Sequence, residues 1–168
     1  PYFSFYNNTF YRSGLNSGSP LIFDYSTTVG ISHHCTVMNN VFVECGSDTT
    51  NPFLGFYGRV TGNTNFVADY NYAVGTAGGF TKNWSDLPGT QAHGLTGVNP
   101  SFVDASVLNF IPQATSPLVG VATNLNSFFT KDILGRTRGS LWTLGAYEDS
   151  GFGVIQLRIT LGRIGGGL

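Results

Sequence analysis

Tyr6-Asn7-Asn8-Thr9-Phe10, Met38-Asn39-Asn40-Val41-Phe42 and Ala68-Asp69-Tyr70-Asn71-Tyr72 share one pattern, polar-polar-x-aromatic, at spacings of 32 and then 30 residues. An apolar-rich stretch precedes each: Phe3 and Phe5, then Cys35 and Val37, then Phe66 and Val67. A glycine follows each: Gly14, Gly46 and Gly75. A period of this size marks a solenoid, in which each turn of chain covers the next and none is stable alone. Helical solenoids need Ala- and Leu-rich amphipathic helices, whereas these segments are β-branched, aromatic and rich in asparagine. The expected fold is all-β, a parallel β-helix whose short strands pair with those of the coils above and below. Asparagine suits the bends because it tolerates the left-handed conformation that sharp corners require. Asn8 and Asn40, at equivalent bends, are placed to stack and exchange side-chain amide hydrogen bonds. Tyr70 aligns with them in the third coil, so the ladder is expected to end there, on the approach to a terminal cap.

The composition agrees. Charged residues make up 10% of the 168 residues, against about 25% in an ordinary soluble domain. The polar surface is therefore built from Asn, Ser, Thr and Gly. Twenty-three glycines and fourteen phenylalanines point to short strands joined by tight turns. A formal net charge of −1 gives no long-range field, which argues against nucleic acid as a partner. No apolar run reaches the roughly 18 residues of a membrane span. No signal peptide is visible, and Pro1 leads straight into strand-like Tyr2-Phe3-Ser4-Phe5-Tyr6, so the chain is expected to be a piece of a longer polypeptide. Along one straight strand, Cys35 and Cys45 would lie about 30–35 Å apart, too far to bond. Two separate thiols are expected, with a bend near Asn40 the one route to a disulfide.

The second half carries a resemblance. After Ala68-Asp69-Tyr70-Asn71-Tyr72 come Gly94-Leu95-Thr96-Gly97-Val98-Asn99-Pro100-Ser101-Phe102-Val103-Asp104, Leu108-Asn109-Phe110-Ile111-Pro112 and Thr115-Ser116-Pro117-Leu118-Val119. Asp132-Ile133-Leu134-Gly135 with Arg138, and a closing Leu144-Gly145-Ala146-Tyr147-Glu148, complete the series. Over residues 66–149 this order resembles the C-terminal module of right-handed β-helix proteins of the pectate-lyase-like superfamily, the choice-of-anchor type. There the run reads DYN, DPxF, DFxLxxxSPAID, DxxGxxRP and DIGAYE. The departures are Asn99 before Pro100, Gly120 at the last position of SPAID, Gly139 after Arg138, and Thr143 before the closing strand. The resemblance implies a right-handed parallel β-helix, here its last coils plus a C-terminal cap, in a secreted protein. It divides the chain into terminal coils over 1–92, a cap module over 93–149 and a tail over 150–168. No sorting motif of such proteins is visible. Pro100, Pro112 and Pro117 cannot donate to a ladder and so punctuate the cap. Arg138 is expected to pair with Asp132 or Glu148, or to stay solvated.

Candidate sites follow from this frame. A β-helix lyase needs a Lys or Arg base near acidic residues that bind uronate directly or through calcium. Arg12, Arg59 and Lys82, with Asp24, Glu44, Asp48, Asp69 and Asp86, form no such motif. Asp24 and Asp48 on adjacent coils would suit a hydrolytic pair, as would almost any two stacked acids. No catalytic residue is assigned. No cofactor is expected either, calcium being compatible with the lyase alternative but signalled by no residue pattern. His33 and His34 point to opposite faces of a strand and do not chelate together. His93 sits in a Gly-rich loop with no companion, so no metal site is expected. The aromatics are the better lead, since exposed rings stack on sugars while Asn, Ser and Thr supply uncharged hydrogen bonds. Tyr25, Tyr70, Tyr72 and Trp84 are the candidate carbohydrate-binding residues, against the simpler reading that such rings fill a core.

In the tail, Ile155, Leu157, Ile159 and Leu161 alternate with Gln156, Arg158, Thr160 and Gly162. This is a one-face-apolar strand. It is either an extra strand folded back on the helix or an assembly strand for another copy or another structural subunit. The expectation is a structural or adhesive component of an extracellular, cell-surface or virion assembly, like a tail spike or fibre, contacting a polysaccharide or other glycan. The alternative is the C-terminal end of a secreted polysaccharide lyase or glycoside hydrolase whose active site lies upstream.

Overall fold

A computed structural model of the chain describes residues 2–13, 21–25, 34–45, 54–58, 66–75 and 92–149. Strands dominate these segments, and the helical content among them is a single 3-10 turn, Ala105–Val107. The strands are β1 (Tyr2–Tyr6), β2 (Thr9–Tyr11), β3 (Leu21–Tyr25), β4 (His34–Met38), β5 (Val41–Val43), β6 (Leu54–Gly58), β7 (Phe66–Asp69), β8 (Tyr72–Val74), β9 (Leu95–Thr96), β10 (Phe102–Asp104) and β11 (Asn109–Pro112). Three sheets are parallel, in the orders β1-β4-β7, β2-β5-β8-β9 and β3-β6. Tyr2 pairs with His34, Thr9 with Val41 and Leu21 with Leu54. The expected parallel pairing of successive repeat units is therefore present.

Alternation along the strands builds the interior. Cys35 and Val37 of β4 are buried while His34, Thr36 and Met38 are half-buried, the two faces of one pleated strand. Phe10 stacks on Phe42 of the next unit, with ring centroids 4.8 Å apart. All of β5 is buried, because a second layer covers its other face: Leu118 and Leu144 pack there with Val41, Val43 and Tyr72. Cys35 and Cys45 are free and buried. Burial pushes their thiols up to about 12 and about 11, respectively.

The bends divide their work between two neighbouring residues. Asn7, Asn39 and Tyr70 take the left-handed conformation, with φ of 52°, 60° and 54°. The residue after each carries the amide ladder. Asn8 donates through its backbone N–H (3.0 Å) and Nδ2 (2.9 Å) to Asn40 Oδ1. Asn40 makes the same pair of bonds, both 3.0 Å, to Asn71 Oδ1. The third unit is thus displaced by one residue from its expected alignment, since Met38 pairs with Asp69 and Val41 with Tyr72. Tyr70 corresponds to Asn39, not Asn40, and the ladder continues to Asn71 instead of ending at Tyr70. The matching of backbone conformations and amides fixes that alignment, which a polar-aromatic pattern alone does not resolve.

The second half covers more than an end of the sheets. β9 adds to β8 through Tyr72–Leu95 and Ala73–Thr96 pairs, and β10 and β11 form an antiparallel hairpin. The chain then lies along the bends. Asn39 Nδ2 donates to Thr123 O (2.8 Å), and Thr123 N returns a bond to Asn39 Oδ1 (3.0 Å). Asn7 Nδ2 donates to the carbonyls of Thr143 (3.2 Å) and Gly145 (3.1 Å). Gly145, at φ 88°, donates to Asn39 O at 2.8 Å. A Cβ there would meet Thr9 Oγ1 at 2.6 Å and Val41 Cγ2 at 3.0 Å. The closing Leu144-Gly145-Ala146 needs its glycine for both conformation and space.

Two substitutions weigh these contacts. Asn40→Leu leaves the carbonyls of Phe5 and Met38 without their amide donor and is expected to cost at least about 3 kcal/mol. Gly145→Ala combines a left-handed backbone with a steric clash, for about 2–4 kcal/mol. Chemical denaturation of each variant against the parent checks both, and a loss below about 1 kcal/mol in either contradicts this packing.

Candidate functional site

The end of β7 brings the neighbours Asp69 and Tyr70 together with His93, 24 residues further along the chain. Asp69 closes β7, Tyr70 turns the left-handed corner, and His93 arrives from the segment leading into β9. Asp69 Oδ1 accepts the backbone N–H of Tyr70 and of His93, both at 2.8 Å, while Oδ2 lies 2.8 Å from His93 Nδ1. The imidazole stacks on the Tyr70 ring, centroids 4.3 Å apart and planes 9° from parallel. Burial alone would raise the Asp69 carboxyl. The hydrogen bonds from His93 and Tyr70 and the field of His93 outweigh it and hold the group below the ordinary carboxylate range. An ionised Asp69 only accepts, so Nδ1 of His93 carries the hydrogen and Nε2 points its lone pair outward in the neutral ring. His93 therefore does have companions, contrary to its reading as an isolated loop residue.

This arrangement orients one imidazole as a hydrogen-bond acceptor or proton carrier beside an aromatic ring. It holds no second carboxylate and no nucleophile among the described residues. Nor do those residues include a group of three or more His, Cys, Asp or Glu side chains able to hold a metal ion.

The other candidates are not gathered at this site among the described residues. Tyr72 is fully buried (0% exposed) in the cluster with Val41, Leu118 and Leu144, so it is a core residue with no face for a sugar. Burial pushes its phenol up to about 12, and its hydroxyl has no hydrogen-bond partner among the described residues. Strand alternation puts Tyr72 on the same face as Val41, its partner in β5, and Leu118 and Leu144 of the second half cover that face. Tyr25 ends β3 opposite Gly58, and its side chain lies outside the described residues, as do Trp84 and the tail positions Ile155, Leu157, Ile159 and Leu161. Of the candidates whose side chains are described, Tyr70 is half-buried at the sheet corner, with one ring face taken by His93. Outward from sheet β1-β4-β7 stand Tyr2 (81% exposed), stacked on His34 at 4.5 Å, then Ser4, Thr36 and the exposed Val67.

Charges in the second half serve structure. Arg138, 6% exposed, donates to Glu148 Oε2 at 3.0 Å and to the carbonyls of Thr143 and Gly145, also at 3.0 Å. It lies over the Trp142 ring, 5.1 Å from the centroid. Of the expected partners, Arg138 takes Glu148, while Asp132 takes Arg136 at 2.8 Å. Thr143 donates to Glu148 Oε1 through both its N–H and its hydroxyl. Among the described residues no helix is long and apolar enough to cross a membrane.

Compared with known family models, curated proteins and solved structures, the chain finds no match.

Because the folded-state pKa of Asp69 is depressed, its contribution to stability is present above the unfolded value of about 3.9 and is lost as pH falls through the folded value. In His93→Gln the Asp69 pKa is expected to rise, and acid unfolding to begin at higher pH. NMR titration of the Asp69 carboxyl checks this; an unchanged pKa shows that His93 does not hold the carboxylate.

Proposed function

We propose that this chain is a structural or adhesive component of an extracellular, cell-surface or virion assembly, built as the terminal part of a right-handed parallel β-helix and contacting glycans. The observation that carries the reading is the ladder Asn8–Asn40–Asn71 between parallel sheets, a device for a stiff stacked rod. The chemistry around it supports a non-catalytic role. Glu44 pairs with Arg12, Asp69 with His93, Asp132 with Arg136 and Glu148 with Arg138, while Asp104 caps the turn at Ser106. Carboxylates so engaged are poor general acids or bases, which need freedom to exchange a proton with a substrate.

Uncharged polar groups and aromatic rings on the outward surface suit a neutral glycan. Tyr70 with His93 forms a rigid stacked pair whose outer face is available to a sugar ring. In this reading the C-terminal segment containing Ile155, Leu157, Ile159 and Leu161 supplies contacts to neighbouring subunits.

A polysaccharide panel tests the reading. Binding without depolymerisation is expected, weakened at least about tenfold by Tyr70→Ala. The control is Tyr72→Phe, which should leave binding unchanged and stability equal or higher, since it removes an unpartnered buried hydroxyl. Release of oligosaccharides by the 168-residue chain would favour the lyase or hydrolase alternative. Absence of glycan binding, together with a monomeric mass, would overturn the adhesive and structural role.

A further inference from the structure

Two tyrosine–histidine stacks stand at opposite corners of one sheet face. In sheet β1-β4-β7, Val37 and Ala68 are buried and pair in register, with Phe5 in the same row, so their strand neighbours point to the other face. That outward face begins at the pair Tyr2–His34, whose rings stack with planes 15° apart. Four residues further along the strands it carries Met38 and Asp69, also paired in register. Asp69 there holds His93, and His93 lies flat on Tyr70. Tyr2 and Asp69 belong to the two outer strands of the three. The stacks are thus about 10 Å apart across the sheet and about 13 Å apart along it, or about 16 Å on the diagonal.

Between the stacks the face is uncharged. Ser4, Thr36 and the 47%-exposed Val67 form its middle row, again in register. The hydroxyls of Ser4 and Thr36 both donate and accept. No Lys or Arg stands between the stacks, and the one carboxylate there, Asp69, is engaged by His93. An anionic polymer would find no permanent cation on this face, and an apolar peptide would leave the hydroxyls unpaired. A neutral glycan suits both features, since its C–H faces cover rings and Val67 while its hydroxyls bond to Ser4 and Thr36. The diagonal adds a requirement of length. A single sugar ring reaches one stack only. A linear chain of several sugars reaches both, and its second contact forms at the high effective concentration set by the first.

We propose, resting on the glycan reading above, that the ligand is an internal stretch of a linear, neutral polysaccharide, several sugars long, lying diagonally across the outward face of sheet β1-β4-β7. Tyr2–His34 and Tyr70–His93 are its two end platforms, and Ser4 with Thr36 is its hydrogen-bonding centre. The site selects chain length as well as charge.

The test is binding of the full chain to a printed array of neutral and anionic glycans, each present as a single sugar and as linear oligomers of increasing length. Neutral oligomers that span both stacks should bind at least about tenfold more tightly than single sugars. Tyr2→Ala, at a position 81% exposed and so of little weight in the fold, should remove that gain, as should Tyr70→Ala. In an NMR titration the ring protons of both His34 and His93 should shift with a long neutral oligomer. Binding that is independent of length, or weakened by Tyr70→Ala but not by Tyr2→Ala, would overturn the extended site and leave the local contact at Tyr70 standing. Binding of anionic glycans alone would overturn the neutral ligand. Binding of no glycan on the array would overturn this inference and the adhesive reading together.

Discussion

The side-chain amide of Asn40 is the contact on which the rest of the architecture depends. It is fully buried, accepts two hydrogen bonds from Asn8 and donates to Phe5, Met38 and Asn71. A buried amide left without partners costs more than a satisfied one contributes, so only one alignment of the units meets its requirements. That alignment sets β1 on β4 and β2 on β5. It also places the left-handed residues Asn7 and Asn39 side by side, where Asn39 Nδ2 donates to Asn7 Oδ1 at 3.1 Å. Both then offer their amides to the returning segment at Thr123, Thr143 and Gly145. The parallel sheets and the flanking second half are therefore coupled through one corner. Stability in the second half should fall when the corner is altered.

Neighbouring asparagines differ in role because their backbones differ. The first takes positive φ and turns its side chain to the flanking segment. The second faces the interior and bonds along the stack. Replacing Asn39 by tyrosine in the third unit, as Tyr70, keeps the corner and surrenders the amide contact to the flank. The freed position carries the stack with His93 instead. Where the first two units hold an asparagine, the third holds an aromatic ring, and the proposed glycan contact lies there.

Much of this was legible in the sequence, and the failures have physical causes. The Asn-Asn pairs, the matching Phe10 and Phe42 and the parallel repeat followed from residue type and spacing. The third unit was misaligned by one residue because its spacing shortens, and Asp69-Tyr70-Asn71 offers polar atoms at two competing positions. Tyr72 looked like a binding aromatic because strand position alone does not reveal that Leu118 and Leu144 of the second half cover the face it shares with Val41. The Asp69–His93 contact spans 24 residues with no motif linking them, and it needed the position of β9. The choice of Glu148 by Arg138 was open in the sequence, where Asp132 is the nearer of the two along the chain. It was decided by Arg136, whose side chain and backbone N–H both bind Asp132.

The most direct test of the central claim is hydrogen exchange of the asparagine side-chain amides in the native protein, read by 15N NMR. If the ladder organises the fold, Nδ2 protons of Asn40 and Asn71 exchange only through large-scale opening, at rates like those of β4 and β5 backbone amides, while those of the half-buried Asn8, beside the outer strands β1 and β2, exchange faster. Rapid exchange of Asn40 Nδ2, comparable to a solvent-exposed asparagine, would contradict the account.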